Sequence, residues 1–247
     1  MKSLTRVEIQ TSMGNLTVAL FNSTPRHRDN FLKLARNGFY NGTLFHRIIR
    51  NFMIQAGDPA SKTAKPGQML GDGGPGYEIP AEFVDTLYHY RGALAAAREG
   101  DERNPEKKSS GSQFYIVQGD KVSTDQLTKM VKSSLLMKLI RDPDNLSYSM
   151  RMEAYKKRGD AAAMNLLQAE LEGKVGPAAD SMINAMPRRV KQMYATWGGA
   201  PFLDREYTVF GFLISGYDVL DKLQAVQTAA EDRPVQDIRI TGMKVLD

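Results

Sequence analysis

Along Phe45-His46-Arg47-Ile48-Ile49-Arg50-Asn51-Phe52-Met53-Ile54-Gln55-Ala56-Gly57-Asp58 an arginine alternates with large apolar residues inside a strand pattern. With Phe45, Arg47 and Ile49 on one face of a regular strand, the guanidinium lies among nonpolar neighbours, where it is costly unless its donors are satisfied. The residues alone leave two readings open: structural burial by pairing, or a fixed donor that acts on a ligand. The second gains from Phe52, Met53 and Gln55 following at once. It gains again from Gly111-Ser112-Gln113-Phe114-Tyr115-Ile116, a second strand mixing apolar and amide side chains. His46 points to the opposite face of a regular strand and reads as a satisfied structural histidine rather than a general base.

Other chemistry is thinly supplied. Gly71-Asp72-Gly73-Gly74-Pro75-Gly76 has the form GxGxxG, but no strand-to-helix unit surrounds it, and Pro75 before Tyr77-Glu78-Ile79-Pro80 precludes the helix that nucleotide binding requires. Ser112 lacks a GxSxG elbow and evident acid and base partners, so it reads as a structural hydrogen-bonding serine. The absence of cysteine excludes disulfides, thiolate zinc, iron–sulfur centres and thiol nucleophiles. Three histidines, His27, His46 and His89, with no HExxH, leave metal catalysis without material.

Composition sets the frame. In 247 residues, 42% are hydrophobic and 25% charged, which excludes disordered, collagen-like and membrane-spanning classes. The net charge of +5, without a basic cluster, does not suggest nucleic acid or anionic lipid as a partner. Met1 to Glu8 has no apolar signal core, so the location stays open between cytoplasm and, for a trimmed chain, the periplasm or cell envelope.

The elements that must hold these residues are short strands. Val7–Thr11 and Leu16–Leu20 alternate in polarity about the turn Ser12-Met13-Gly14-Asn15. Further runs follow at Leu44–Ile49, Phe52–Gln55, Gly92–Ala97, Gln113–Val117, Thr208–Ile214 and Val235–Ile240, giving eight strands in all. Turn signals between short strands favour a closed antiparallel barrel or a sandwich over a doubly wound sheet. Thr24 as N-cap, Pro25 in the first turn, an apolar face of Phe31, Leu34 and Ala35, and Gly38 beyond the end predict one helix over an apolar opening. Val219, Leu220 and Leu223 predict a second over Gly216–Val226.

From about Asp120 to Ala200 helical spacing replaces strand alternation. Stripes run through Leu127, Val131, Leu135 and Leu139, through Tyr148, Met152 and Tyr155, and through Val190, Met193, Tyr194 and Trp197, with breaks predicted at Asp142-Pro143, Gly159 and Gly176-Pro177. The stretch holds 13 Lys+Arg against 9 Asp+Glu and 8 of the 13 methionines. Amphipathic helices of this kind are read first as ordinary packing, with a basic, client-binding appendage as the alternative.

Three motifs in order, Phe45-His46-Arg47 through Asp58, Gly111-Ser112-Gln113-Phe114-Tyr115-Ile116, and Leu203-Asp204 through Val209-Phe210-Gly211, resemble a cyclophilin-type peptidyl-prolyl cis–trans isomerase over about residues 5–118 and 201–246. The resemblance implies a mainly β fold, a closed eight-stranded antiparallel barrel capped by two helices. The barrel would comprise residues 1–119 and 201–247, interrupted by an α-helical insertion at 120–200. It also implies a cofactor-free, metal-free enzyme that accelerates X–Pro isomerisation in unfolded or flexible polypeptides. The alternative is a noncatalytic proline-peptide binding module or chaperone whose insert binds clients.

By the same resemblance Arg47, Phe52 and Gln55 are catalytic, Gln55 orienting the arginine. Met53, Ala97, Arg98, Gln113, Tyr115, Phe202, Leu203 and Tyr207 bind substrate, with Phe52, Met53, Tyr115 and Leu203 forming the proline pocket. Ala97 and Arg98 end the strand implied to hold the peptide backbone, though the family commonly has Met-Ala-Asn where this chain has Ala96-Ala97-Arg98. Phe202 stands where tryptophan is common and Tyr207 where histidine is common, which counts against cyclosporin binding. Trp197, on the predicted helix, is not that tryptophan.

Overall fold

The computed structural model describes residues 3–246, and the chain separates into two compact units, one made of the segments up to Lys121 and from Trp197, the other of Val122–Thr196. The first unit contains β1 (Arg6–Thr11), β2 (Gly14–Leu20), α1 (Pro25–Arg36), β3 (Phe45–Ile49), β4 (Met53–Ala56), β5 (Glu78–Ile79), β6 (Ala93–Ala96), β7 (Ser109–Ser110) and β8 (Phe114–Val117). After the second unit come β9 (Val209–Ser215), a helix Tyr217–Gln224, and β10 (Ile240–Leu246). Eight strands form one antiparallel sheet in the order β10-β1-β2-β9-β6-β8-β4-β3, while β5 and β7 make a separate two-stranded ribbon.

Two expectations are corrected here. The sheet is an open half-barrel rather than a closed ladder, with β10 and β3 as its edges. The seam is spanned by the bridge between Leu44 and Arg239 and by bonds from Phe45 N–H to the Ile238 carbonyl (2.9 Å), from Ile240 N–H to the Thr43 carbonyl (2.8 Å) and from Gly42 N–H to the Ile240 carbonyl (2.8 Å), not by a continuous strand ladder. The last strand begins at Ile240, not Val235, because Ala229–Arg233 and Pro234 fold into a tight loop before it.

The core is filled from the sheet's inner face by Val7, Ile9, Leu16, Val18, Ile54, Leu94, Phe114 and Ile116, and by the apolar faces of both helices, Phe31, Leu34 and Ala35 with Val219, Leu220 and Leu223. α1 stops as its sequence requires: Gly38 is left-handed (φ 66°), its N–H reaches the Ala35 carbonyl, and Phe39 N–H reaches that of Leu34, a Schellman ending. Its start differs from expectation. Thr24 makes no side-chain cap, and its buried hydroxyl has no protein partner. Instead Glu82, far along the chain, accepts the N–H groups of Arg26 (3.1 Å) and His27 (3.0 Å) and the His27 Nδ1 proton (2.7 Å). A carboxylate there meets two orphan donors and the positive end of the helix together.

The second unit is helical: α2 (Thr124–Arg141), α3 (Leu146–Arg158), α4 (Ala161–Ala185) and α5 (Arg188–Trp197), so that the helix of the first unit becomes α6 (Tyr217–Gln224). A Ser123–Gln126 capping box starts α2, Asp160 caps α4, and left-handed Gly159 (φ 65°) ends α3. The predicted break at Gly176-Pro177 is absent. α4 runs through it, burying Leu167, Leu171, Val175, Ala179 and Ile183 at four-residue intervals. Pro177 and Gly173 lie on its exposed side, so the Gly173 carbonyl that loses its N–H partner is open to water, and glycine relieves the clash at that turn. Among the described residues no helix is long and apolar enough to cross a membrane.

Glu82→Ala strips α1 of its cap and His27 of its partner and should destabilise the fold by about 2–3 kcal/mol, read as a lower urea midpoint. Burial lowers the His27 and His46 pKa values below the ordinary 6.5, in His27 against the opposing Glu82 hydrogen bond. Both rings are thus harder to protonate in the fold than in the unfolded chain, so the unfolded chain binds more protons as pH drops below 6.5, and stability falls with it. Urea midpoints at about pH 7.5 and 5.0 should show the loss, up to ~1.4 kcal/mol per histidine per pH unit, and His46→Leu should shrink it.

Candidate active site

Strand parity assembles the site. Ile54 and Ala56 of β4, Leu94 and Ala96 of β6, and Phe114 and Ile116 of β8 face the core. The alternate residues Met53, Ala93, Ala95, Tyr115 and Val117, joined by Ala97, Leu203 and Val209, form a second apolar cluster on the other face, with Ile49, Phe52 and Tyr207 against it. Register places Arg47 opposite Gln55, Gln55 opposite Tyr115 and Tyr115 opposite Ala95, a single row across β3, β4, β8 and β6. Neighbouring strands lie about 4.8 Å apart, so this row sets the arginine two strands from the tyrosine.

β3 is not the regular strand expected. Phe45 pairs with Ala56 and Arg47 with Gln55, leaving His46 as the extra residue of a bulge. The bulge reverses parity, so Phe45 and Ile48 enter the core while Arg47 and Ile49 go to the site face. Arg47 is therefore not buried among apolar side chains. Its side chain is 42% exposed, and its Nε ion-pairs with Asp232 Oδ2 at 3.4 Å. His46 is buried, with the Leu44 backbone and the Asp58 carboxylate nearby acting against its desolvation.

The β3–β4 turn presents Phe52. Asn51 takes the left-handed conformation (φ 61°), Phe52 N–H bonds the Ile49 carbonyl (3.1 Å), and the Phe52 carbonyl accepts from Gln118 (2.9 Å) and Gly119 (3.1 Å). The Phe52 ring meets Phe202 at 5.3 Å between centroids. At the other wall, the Tyr207 ring stands edge-on to Tyr115 (5.9 Å) and carries the Arg98 guanidinium at 4.5 Å. Arg98 also ion-pairs with Asp101 (2.7 Å) and donates to the Glu206 carbonyl (2.8 Å), so its side chain braces Tyr207.

Two glutamines join the row to a loop. Gln55 Nε2 donates to Gln113 Oε1 (3.0 Å), and Gln113 Nε2 donates to the carbonyls of Gly71 (2.6 Å) and Gly73 (2.8 Å). Gln113 thus ties β8 to the glycine loop, and Gln55 is joined to it through its amide nitrogen. Asp58 completes the loop, accepting from Ala60 (2.8 Å) and Gly71 (2.7 Å). A Cβ on Gly73 would sit 2.0 Å from Asp58 Oδ1, so only glycine fits. The loop continues into β5, not a helix, and Ser112 Oγ donates to the Gly57 carbonyl (2.7 Å). Ala97 N–H is taken by the Gln113 carbonyl (3.0 Å), so it is not free for a peptide backbone.

Against the apolar cluster lie His89 and Asp204, to which the sequence motifs assign no role. His89, fully buried, meets Asp204 Oδ1 through Nδ1 (3.0 Å) and Tyr115 Oη through Nε2 (3.0 Å), and its backbone N–H meets the same Asp204 oxygen (2.9 Å). A carboxylate only accepts, so Nδ1 carries the proton and the tyrosine donates to Nε2. Burial pushes the Tyr115 pKa well up, keeping the phenol protonated for that bond. Asp204 was visible beside Leu203 and His89 as one of three histidines, but their meeting with Tyr115 is a tertiary event. No local signal pointed to Asp232.

Comparison with known proteins places this geometry. The family model for cyclophilin-type peptidyl-prolyl cis–trans isomerases matches residues 6–135 and 147–245. A Streptococcus pyogenes protein provisionally named as a bifunctional phosphatase/peptidyl-prolyl cis–trans isomerase is 34% identical over 245 residues, 98% of this chain but 39% of that protein, so the chain spans well under half of that relative. A Staphylococcus saprophyticus protein provisionally named as a peptidyl-prolyl cis–trans isomerase is 27% identical over 97% of this chain and 90% of its own, an alignment long enough to take in the helical unit. The crystal structure of a Cryptosporidium parvum cyclophilin-type peptidyl-prolyl cis–trans isomerase shares the fold, with TM-score 0.59, 22% identity, and 99% and 98% of the two chains covered. An arginine set by a bulge beside an apolar cluster, on this half-barrel and under a family match along nearly the whole sequence, makes the chain a member of the cyclophilin-type peptidyl-prolyl cis–trans isomerase family.

Proposed function

We propose that this chain accelerates cis–trans exchange of X–Pro bonds in unfolded or flexible polypeptides, with Arg47 as the group that acts on the twisted bond. The observation that carries the reading is the row Arg47, Gln55 and Tyr115 lying along the apolar cluster of Phe52, Met53 and Leu203. Peptide-bond rotation is opposed by a barrier of roughly 18–20 kcal/mol from amide resonance. Twisting breaks that resonance and returns a lone pair to the prolyl nitrogen. A donor aimed at this nitrogen binds the twisted state better than either planar form, which lowers the barrier without proton transfer or a covalent step. Arginine suits the task because it stays charged and presents a rigid planar fork.

The pocket residues divide the work. Phe52, Met53, Tyr115 and Leu203 clasp the pyrrolidine ring so that the acyl side rotates, and the bound peptide displaces water from the half-exposed guanidinium, strengthening its field. Gln55 is held by Gln113 through its amide nitrogen, which aims its carbonyl oxygen for a substrate N–H. Phe202 and Tyr207 flank the pocket as walls, Tyr207 stiffened by Arg98. Arg47→Ala should cut kcat/KM in a protease-coupled proline-peptide assay about 10²–10³-fold with the fold intact. A wild-type protein no faster than buffer would end the isomerase reading.

We assign residues 120–200 to a separate unit inserted into the isomerase body. Exposed Leu146, Met150 and Leu166 on that unit favour a role in holding unfolded clients. At its root Gly199 N–H bonds the Asp120 carbonyl (3.0 Å), and a Cβ on Gly119 would sit 2.3 Å from Gly199 Cα, so the two chain ends are close enough for a short linker. Deleting Lys121 to Thr196 across that root should leave short-peptide turnover within about twofold of wild type and weaken protection of an unfolded client from aggregation. Equal protection by both proteins would refute the client role.

A further inference from the structure

The guanidinium of Arg47 is held from one side only. Asp232 meets it at Nε, the stem side of the fork, and among the described residues no protein group takes its two terminal nitrogens. Asp232 lies in the loop between α6 and β10, where it and Glu231 are consecutive non-glycine residues in the left-handed region (φ 57° and 56°). Two such residues in a row are costly, and an ion pair in which both side chains are more than two-fifths exposed stabilises little. The pair does not compensate the strain as a stability device, and strain of this kind collects where a geometry is needed for function.

The rest of the loop is built to keep that geometry. Buried Arg233 donates to the carbonyls of Lys65 (3.0 Å) and Gln68 (2.6 Å) and pairs with Asp237 (2.9 Å). Ala229 N–H reaches the Arg233 carbonyl (2.7 Å), Val235 N–H reaches that of Gln227 (2.9 Å), and Pro234 fixes the following φ. The backbone that carries Asp232 is thus braced by neighbours that do not touch the site, while Gln55, opposite Arg47 in the ladder, gives its amide nitrogen to Gln113.

We propose that Asp232 is the positioning residue for Arg47: it anchors Nε so that the terminal nitrogens are presented to the prolyl nitrogen. This rests on the isomerase reading above. A long, half-exposed arginine has several rotamers, and a fixed anion on the stem side selects one before substrate arrives, so that less ordering remains for the transition state. Asp232→Asn keeps the shape and the tolerance for left-handed backbone but removes the charge. Asp232→Gly relieves the strain and removes the side chain altogether.

Both variants should lose about tenfold in kcat/KM for a short proline peptide, the loss lying in kcat rather than KM, with melting temperature unchanged or raised. In an Arg47→Ala background Asp232→Asn should cause no further loss, since the two residues act through one another. Heteronuclear NMR of the arginine Nε–H groups should show an Arg47 signal protected from exchange in the wild type and averaged in Asp232→Asn. Wild-type or faster turnover by Asp232→Asn, or an equal loss in the Arg47→Ala background, would overturn the assignment. If the wild type does not isomerise proline peptides at all, the isomerase reading fails, yet the Nε signal still tests whether Asp232 holds Arg47: an Arg47 signal equally averaged with and without the carboxylate overturns that too.

Discussion

Antiparallel strands put successive side chains on opposite faces, and the site exists because β3, β4, β8 and β6 agree on which face is which. The inner face of the sheet is the apolar core, and the outer face carries the row from Arg47 to Ala95. Strands covered on both faces lose the usual polar alternation, which is why Ala93–Ala96 and Phe114–Val117 read as unbroken apolar runs. The bulge at His46 is the one device that brings β3 into step. Without it the arginine and Phe45 would share a face, and a guanidinium would be driven into the core or a phenyl ring out of it.

Around this sheet the loops are tied by carboxylates that accept backbone N–H groups far away in sequence. Glu82 holds the start of α1 and His27, Asp58 holds the glycine loop that Gln113 also grips, and Asp204 holds His89 beneath Tyr115. Each pairs charge with donors that would otherwise be orphaned, a stronger class of hydrogen bond than neutral pairs. Tyr115 and Gln113 are thus each held by hydrogen bonds, while the half-exposed Arg47 meets Asp232 at Nε.

The helical unit follows different physics. Its buried stripe from Leu167 to Ile183 passes through a proline that would break most helices, and survives because the unbonded carbonyl faces outward beside a glycine. Helical spacing therefore outweighed a local breaker signal. The chain returns to one point at Asp120 and Gly199, so the helical unit is a single long excursion between β8 and β9.

What could be read from the amino acids alone was whatever depends on near neighbours: strand alternation, the α1 and α6 faces, the Gly38 and Gly159 helix ends, and the motif that names the site around Arg47, Phe52 and Gln113. The elements rest on the periodicity of side chains along one segment, which a sequence displays directly, whereas the site motif was legible through its resemblance to the cyclophilin-type family. The tertiary structure decided the rest. The bulge, the open seam, the partnering of Gln55 with Gln113, the cap from Glu82, and the pairing of Arg47 with Asp232 each join residues separated by a strand pairing or a long loop. Such contacts depend on register and on where a loop is pinned, and neither quantity is written in the spacing of residues along one chain.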